Sequence, residues 1–248
     1  MTEPAQRYRH EWKYLLSRSE AEVLKRRLTP HLSLDPHAAE GGYTIRSLYF
    51  DDLARSAYSQ KRMGIYARKK WRIRIYNYSD GKIALERKTK RGAYIYKESA
   101  DITREEFEQI LTGDYRFLLD AKSNLLREFY AECMCNLLRP VVIVDYDRIP
   151  LVMDAGTVRI TFDSDVRAAI GGFDIFDPTL PQLPALEPGR VILEVKYTEF
   201  LPQLIGRLLP SQGQEFTAFS KYVACYDAAH HLTDVCAGIS KTHMGWRK

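Results

Sequence analysis

The chain has no apolar run approaching the ~18 residues that a membrane-crossing helix requires. Its first residues, MTEPAQRYRHEWKYLL, lack the ~7–15-residue apolar core and the small-residue cleavage site of a signal peptide. The expectation is a cytoplasmic protein without a membrane span. Cysteine is scarce, and Cys133, Cys135, Cys225 and Cys236 show no CxxC spacing. That argues against the common redox and zinc motifs and fits free thiols in a reducing compartment. His230, His231, Cys236 and His243 match no zinc-finger spacing. There is no GxxxxGK[ST], no GxGxxG after a strand and no GxSxG, which removes P-loop, dinucleotide-binding and nucleophile-elbow chemistry.

What is present is an ordinary globular composition: 248 residues, 45% hydrophobic and 28% charged. A chain of this length can bury a core without disulfides or metal. One folded unit over residues 1–248 is expected, since no repeat or linker interrupts it. The net charge is only +5, but its distribution is uneven. Between Arg68 and Lys97 eleven Lys/Arg face only Asp80 and Glu86, an excess of nine positive charges, while the remainder is net −4. A field so concentrated calls for a polyanionic partner.

Eight segments read as strands from β-branched and aromatic content between turn residues: 7–15, 43–51, 70–78, 82–90, 94–102, 141–149, 158–163 and 191–197. Ser79-Asp80-Gly81 is the expected hairpin turn, and Lys90-Arg91-Gly92 another. Ser17 or Ser19 can cap a helix over 20–28, and Thr103 with Glu106 repeats the capping-box spacing before a short helix to Leu111. Helical spacing continues over 123–138 and 215–230. Residues 171–189, with Pro178, Pro181, Pro184 and Pro188, read as a long ordered loop. The class is α+β.

Alternation within the strands carries the functional signal, because neighbours point to opposite faces. Arg72 and Arg74 oppose Trp71, Ile73 and Ile75. Glu11 and Lys13 oppose Trp12; Glu194 and Lys196 oppose Leu193 and Val195; Arg159 opposes Val158 and Ile160. Glu86 and Lys88 share a face, as do Tyr146 and Arg148. The polar faces thus hold Lys13, Arg72, Arg74, Lys88, Arg148, Arg159 and Lys196 against Glu11, Glu86 and Glu194. One reading is a half-buried sheet with its polar face in water. The other closes the sheet into an eight-stranded barrel with the basic faces inward, where a multiply charged anion offsets their mutual repulsion. Arg and Lys together suit phosphate oxygens, and the few glutamates can share Mg²⁺ or Mn²⁺ with them. Arg68-Lys69-Lys70 and Lys90-Arg91 read either as solvated or as a funnel at the mouth. Most of the sixteen tyrosines fall in strand periodicity and read as core or wall, so no nucleic-acid partner is expected.

Several stretches in order, HEWKYLLS (10–17), IRSLYFDD (45–52), RIRIY (72–76), LERKTK (85–90), VDYDR (144–148), VRITFD (158–163), ILEVKY (192–197) and FSKY (219–222), resemble the polyphosphate polymerase domain of the vacuolar transporter chaperone (VTC) family. That family lies within the triphosphate tunnel metalloenzymes. The resemblance implies an eight-stranded antiparallel β tunnel with a basic interior, helices outside and a C-terminal plug helix. It implies transfer of the terminal phosphate of ATP to a growing polyphosphate chain, with Mn²⁺ or Mg²⁺. Lys13, Arg72, Arg74, Lys88, Arg148, Arg159, Lys196 and Lys221 would then handle the phosphates. Glu194 would hold the metal, and Ser220, Tyr146, Glu86 and Glu11 would lie against substrate. Any membrane attachment would need a separate partner protein. The wider superfamily opens with Glu-x-Glu-x-Lys, whereas this chain has Arg9-x-Glu11-x-Lys13. Losing one carboxylate favours a polymerase over the alternative, a triphosphatase; a non-catalytic polyphosphate-binding module is the third reading.

Overall fold

A computed structural model describes residues 10–38, 41–92, 94–210 and 219–242. In chain order the elements are β1 (His10–Ser17), α1 (Arg18–Leu28), β2 (Ser33–Leu34), β3 (Tyr43–Asp51), α2 (Ser56–Arg62), β4 (Ala67–Tyr76), β5 (Ser79–Arg91), β6 (Tyr94–Ile102), α3 (Arg104–Thr112), α4 (Asn124–Cys135), β7 (Arg139–Met153), β8 (Val158–Ala169), β9 (Gln182–Pro184), β10 (Arg190–Tyr197), α5 (Gln203–Leu208) and α6 (Lys221–Thr242). The α+β expectation holds.

Local chemistry sets the boundaries. Ser17 starts α1 through a reciprocal capping box with Glu20, and Thr103 does the same for α3 with Glu106. The first hairpin turn differs from expectation. Asn77 and Tyr78 form it, with φ of 50° and 58°, and Ser79-Asp80-Gly81 lies inside β5. Two left-handed residues give the twist that a two-residue hairpin loop needs, and the Asn77 side chain accepts the Thr44 amide at 2.9 Å. The second turn contains Gly92, at φ 58°. The short α2 and α5, and the two small strands, were not expected; helices of so few residues leave little periodicity to read. The expected start at Glu215, together with Arg9, Cys236 and His243, lies outside the residues whose side chains are described.

All strands join one antiparallel sheet, along the path β1-β10-β8-β7-β3-β4-β5-β6, with β2 and β9 added at the side. The expected closed barrel does not form: among the described residues no backbone ladder joins β1 to β6. Closure requires tilt and stagger to match at both edges, and here the concave side is occupied by α6 and by a crowd of long cationic side chains. A side-chain contact reaches across instead, Lys88 on β5, the strand next to the β6 edge, donating to Glu11 on the β1 edge at 3.2 Å.

The outer face packs in two patches. Leu48, Trp71, Ile73 and Leu85 lie under Phe107 of α3 and Phe129 of α4. Tyr14, Ile160 and Leu193 lie under Leu24 and Leu28 of α1 and Ile205 of α5. Inside the curve, Ile45, Val144, Tyr146 and Ile192 receive Tyr222 and Cys225 of α6. The last helix thus fills one part of the concave space. The loop over 171–189 is ordered. Arg46, fully buried, bonds Asp145 through Nε at 2.8 Å and Nη2 at 2.7 Å and donates to the Asp177 carbonyl. Gln182 of β9 donates to the same Asp145 at 3.0 Å.

Candidate functional site: a cationic cavity

The remaining concave space is a cavity of about 580 Å³. Strand parity builds its wall. On β1 and β10 the register sets Lys13 opposite Glu194 and Glu11 opposite Lys196. β4 presents Lys70, Arg72 and Arg74; β5 presents Lys88 and Lys90; β7 presents Tyr146 and Arg148. Ser220 and Lys221 enter from the start of α6, and Lys61 from α2. Eleven lysines and arginines line the cavity against two glutamates.

The carboxylates are already engaged. Glu194 Oε1 lies 3.0 Å from Lys13 and accepts from Lys221 at 3.1 Å; Oε2 accepts from Lys196 at 2.5 Å. Burial pushes the Glu194 carboxyl up, but Lys13, Lys196, Lys221 and Arg148 more than reverse this and hold it well below the usual range. Burial likewise opposes ionisation of Glu11, and Lys88, Lys13 and Lys196 bring it down to about 2. Behind the wall, Asp163 takes Arg148 in a two-pronged pair at 2.6 and 2.7 Å and Lys221 at 2.6 Å. Glu86 takes Arg72 Nε at 2.7 Å and Lys97 at 2.6 Å.

Other cations have less compensation. Arg74 donates to Ser47 at 3.1 Å and to the Tyr146 hydroxyl at 3.3 Å. Burial, and secondarily the neighbouring Lys13 and Lys196, lower Lys88 to about 8 despite Glu11. Among the described residues no carboxylate is in salt-bridge reach of Lys70.

Of the residues expected from sequence, the structure gathers Lys13, Arg72, Arg74, Lys88, Arg148, Lys196, Lys221, Glu11, Glu194, Tyr146 and Ser220 on one cavity. Glu86 stands behind Arg72. Arg159 shares the inner face, opposite Lys196, but is not part of the cavity lining. It is 39% exposed and bonds Asp35 at 2.9 Å and the Tyr43 hydroxyl at 3.1 Å. Sequence reasoning did not single out Asp163 behind the wall, and left Lys70 open between a solvated strand end and a funnel, although its parity with Arg72 marks it as inward. Lys61 carried no signal, since α2 itself was not foreseen.

The cavity's oxygen donors bear on whether a hard divalent cation could sit there. Such an ion takes one or two protein carboxylates and completes its shell with phosphate and water. Glu194 and Glu11 supply that number, and Glu11 Oε1 is buried without a hydrogen-bond partner. Among the described residues no group of three or more His, Cys, Asp or Glu could hold a metal alone. Two carboxylates fit such an ion only where a bound anion would supply the rest of its oxygen shell.

A curved antiparallel sheet whose concave face carries a strongly cationic cavity, stopped at one side by its last helix, defines an α+β protein with a basic internal site. The family model described as VTC domain matches residues 8–230, and the chain belongs to that family. Solved structures similar to it include a candidate adenylate cyclase from Bacillus halodurans, at 11% identity over 83% of this chain and 87% of that one, with a TM-score of 0.49. A protein from Pyrococcus horikoshii is 13% identical over 89% and 99% of the two chains, with a TM-score of 0.48. The search of curated proteins returned no match. No helix among the described residues is long and apolar enough to cross a membrane.

Proposed function

We propose that the chain is a polyphosphate polymerase, moving the terminal phosphoryl group of ATP onto a growing inorganic polyphosphate chain. The observation that carries this reading is the lining: eleven cations and two carboxylates around about 580 Å³. Phosphoryl transfer asks a protein mainly for positioning and charge neutralisation. Arg72, Arg74 and Arg148 offer planar forks to phosphate oxygens, and Lys13, Lys88 and Lys196 offer mobile charges. Lys221, at the head of α6, faces the same space. Donor and acceptor phosphates held in line along such a wall react without a protein nucleophile. Glu194, with Glu11 beside it, would hold Mn²⁺ or Mg²⁺, which would supply Lewis-acid neutralisation of charge on phosphate oxygens. A site with two lining carboxylates favours transfer to phosphate over activation of water by two metals.

The purified chain with ATP and Mn²⁺ should yield ADP and a long phosphate polymer. Release of orthophosphate alone would assign it as a triphosphatase. Tight binding of tripolyphosphate with no turnover under any divalent metal would make it a binding module.

A further inference from the structure

Lys70 and Ser220 form a pair that phosphate binding alone does not require. Lys70 Nζ donates to Ser220 Oγ at 3.1 Å. Ser220 directly precedes the 22-residue α6, and its Oγ lies 3.5 Å from the Val223 amide, the position of a helix cap. Lys70 faces Lys88 of β5, Lys61 of α2, Arg68 of β4 and Lys13 of β1, and it sits 4.8 Å above the Tyr222 ring. Burial first, then those four cations, hold its ammonium well below the ordinary lysine range. When Lys70 is an amine, the same 3.1 Å line lets the Ser220 hydroxyl donate to it, which is the arrangement of a serine activated by lysine.

We propose that Ser220 is the first phosphoryl acceptor of this protein, its phosphate ester being the primer on which the chain is begun. The inference rests on ATP being the donor, as above. In the step, Lys70 Nζ takes the hydroxyl proton and Ser220 Oγ bonds to the terminal phosphorus of ATP. The bond from that phosphorus to the bridging oxygen breaks, and ADP leaves. The new dianion sits at the start of α6, where free backbone amides and the helix dipole favour it. Lys70, now charged, offsets it further. A phosphate monoester has a lower transfer potential than the anhydride of a phosphate chain. The ester is therefore a starting point to be extended and not a relay that hands its phosphate on.

The test uses the full chain with ATP and Mn²⁺, sampled at short times, denatured and examined by intact mass and fragment spectra. One added phosphate localised to Ser220 should precede longer phosphate chains ester-linked to the same residue. Ser220→Ala should abolish that adduct. Lys70→Arg, which keeps the charge but cannot act as a base at neutral pH, should slow its formation by about a hundredfold. In parallel, polymer synthesis is measured with and without pyrophosphate as primer. The primed-to-unprimed ratio should rise at least about tenfold in Ser220→Ala. Unmodified Ser220 in a wild-type sample that makes polymer, or an unchanged ratio, overturns the inference. Wild type that makes no polymer even with pyrophosphate overturns the polymerase reading instead, and an adduct on Ser220 in that same sample still upholds ATP-dependent acceptance at this serine.

Discussion

Glu194 on β10 and Lys221 at the head of α6 lie 3.1 Å apart, joining the last helix to the strand next to the sheet's β1 edge. Lys13 meets the same Glu194 oxygen at 3.0 Å from β1. With Lys196 of β10 and Arg148 of β7, one carboxylate therefore gathers cations from four elements.

Glu194→Gln leaves those cations around a neutral amide. Metal-free tripolyphosphate should bind at least as tightly as to wild type, by calorimetry. Metal-dependent turnover should fall by about a hundredfold or more. Loss of binding together with turnover would mean that Glu194 shapes the wall and does not hold the metal.

Arg72 and Arg74 are adjacent on one face but differ in what they leave behind. Arg72 neutralises buried Glu86 at 2.6 Å, whereas Arg74 lies 3.8 Å from it. Both Arg→Met variants should weaken tripolyphosphate binding by about tenfold or more, roughly 1.4 kcal/mol. Arg72→Met should also destabilise the fold by about 1–3 kcal/mol, because Glu86 keeps only Lys97 in close contact. Arg74→Met should cost less than about 1 kcal/mol, since like-charge repulsion is relieved. Denaturant titrations that rank the two the other way would refute this.

The ligand-free protein should gain stability as pH rises from about 8 towards 10. Lys88 has a folded pKa of about 8 against an ordinary 10.5, so in that window the unfolded chain binds more protons and stability increases with pH. An anion in the cavity favours the charged lysine. Its binding should therefore take up protons near pH 8 and weaken above it, read as a buffer-dependent calorimetric heat. In acid the slope has the same sign: Glu11 titrates at about 2 when folded against an ordinary 4.5, so its contribution, present above pH 4.5, is lost as pH falls towards 2.

Asp51 accepts the amides of Ala57 and Tyr58 at 2.9 and 3.0 Å, and the Tyr222 hydroxyl at 2.6 Å. It caps α2 and seats α6 at once. Asp51→Ala should destabilise the fold by about 2–4 kcal/mol, combining a lost cap with a lost charged hydrogen bond. Tripolyphosphate affinity should drop as well, because Ser220 and Lys221 lead the helix that Asp51 seats. Melting curves and calorimetry check both.

Much of the wall was legible because strand parity is a short-range property. Arg72, Arg74, Lys88 and Lys196 face one space as their alternation requires. Lys70 was lost only because the strand was started one turn of the pattern too late: β4 begins at Ala67. Asp163 was not singled out, since a carboxylate behind a basic wall leaves no mark in spacing and acquires its role only when Arg148 and Lys221 arrive from β7 and α6. The failure of the barrel to close was not legible either. It depends on the tilt and stagger accumulated over eight strands, and on what the concave side has to contain.

The contact between Lys88 on β5 and Glu11 on the β1 margin, 3.2 Å across the concave space, behaves unlike a ladder of amides. Dissolved ions loosen it, and an incoming phosphate competes with Glu11 for the same lysine. The two flanks of the cavity are thus joined by exchangeable charges and not by shared backbone, and an anion seated between them would take over part of the role that Glu11 plays for Lys88.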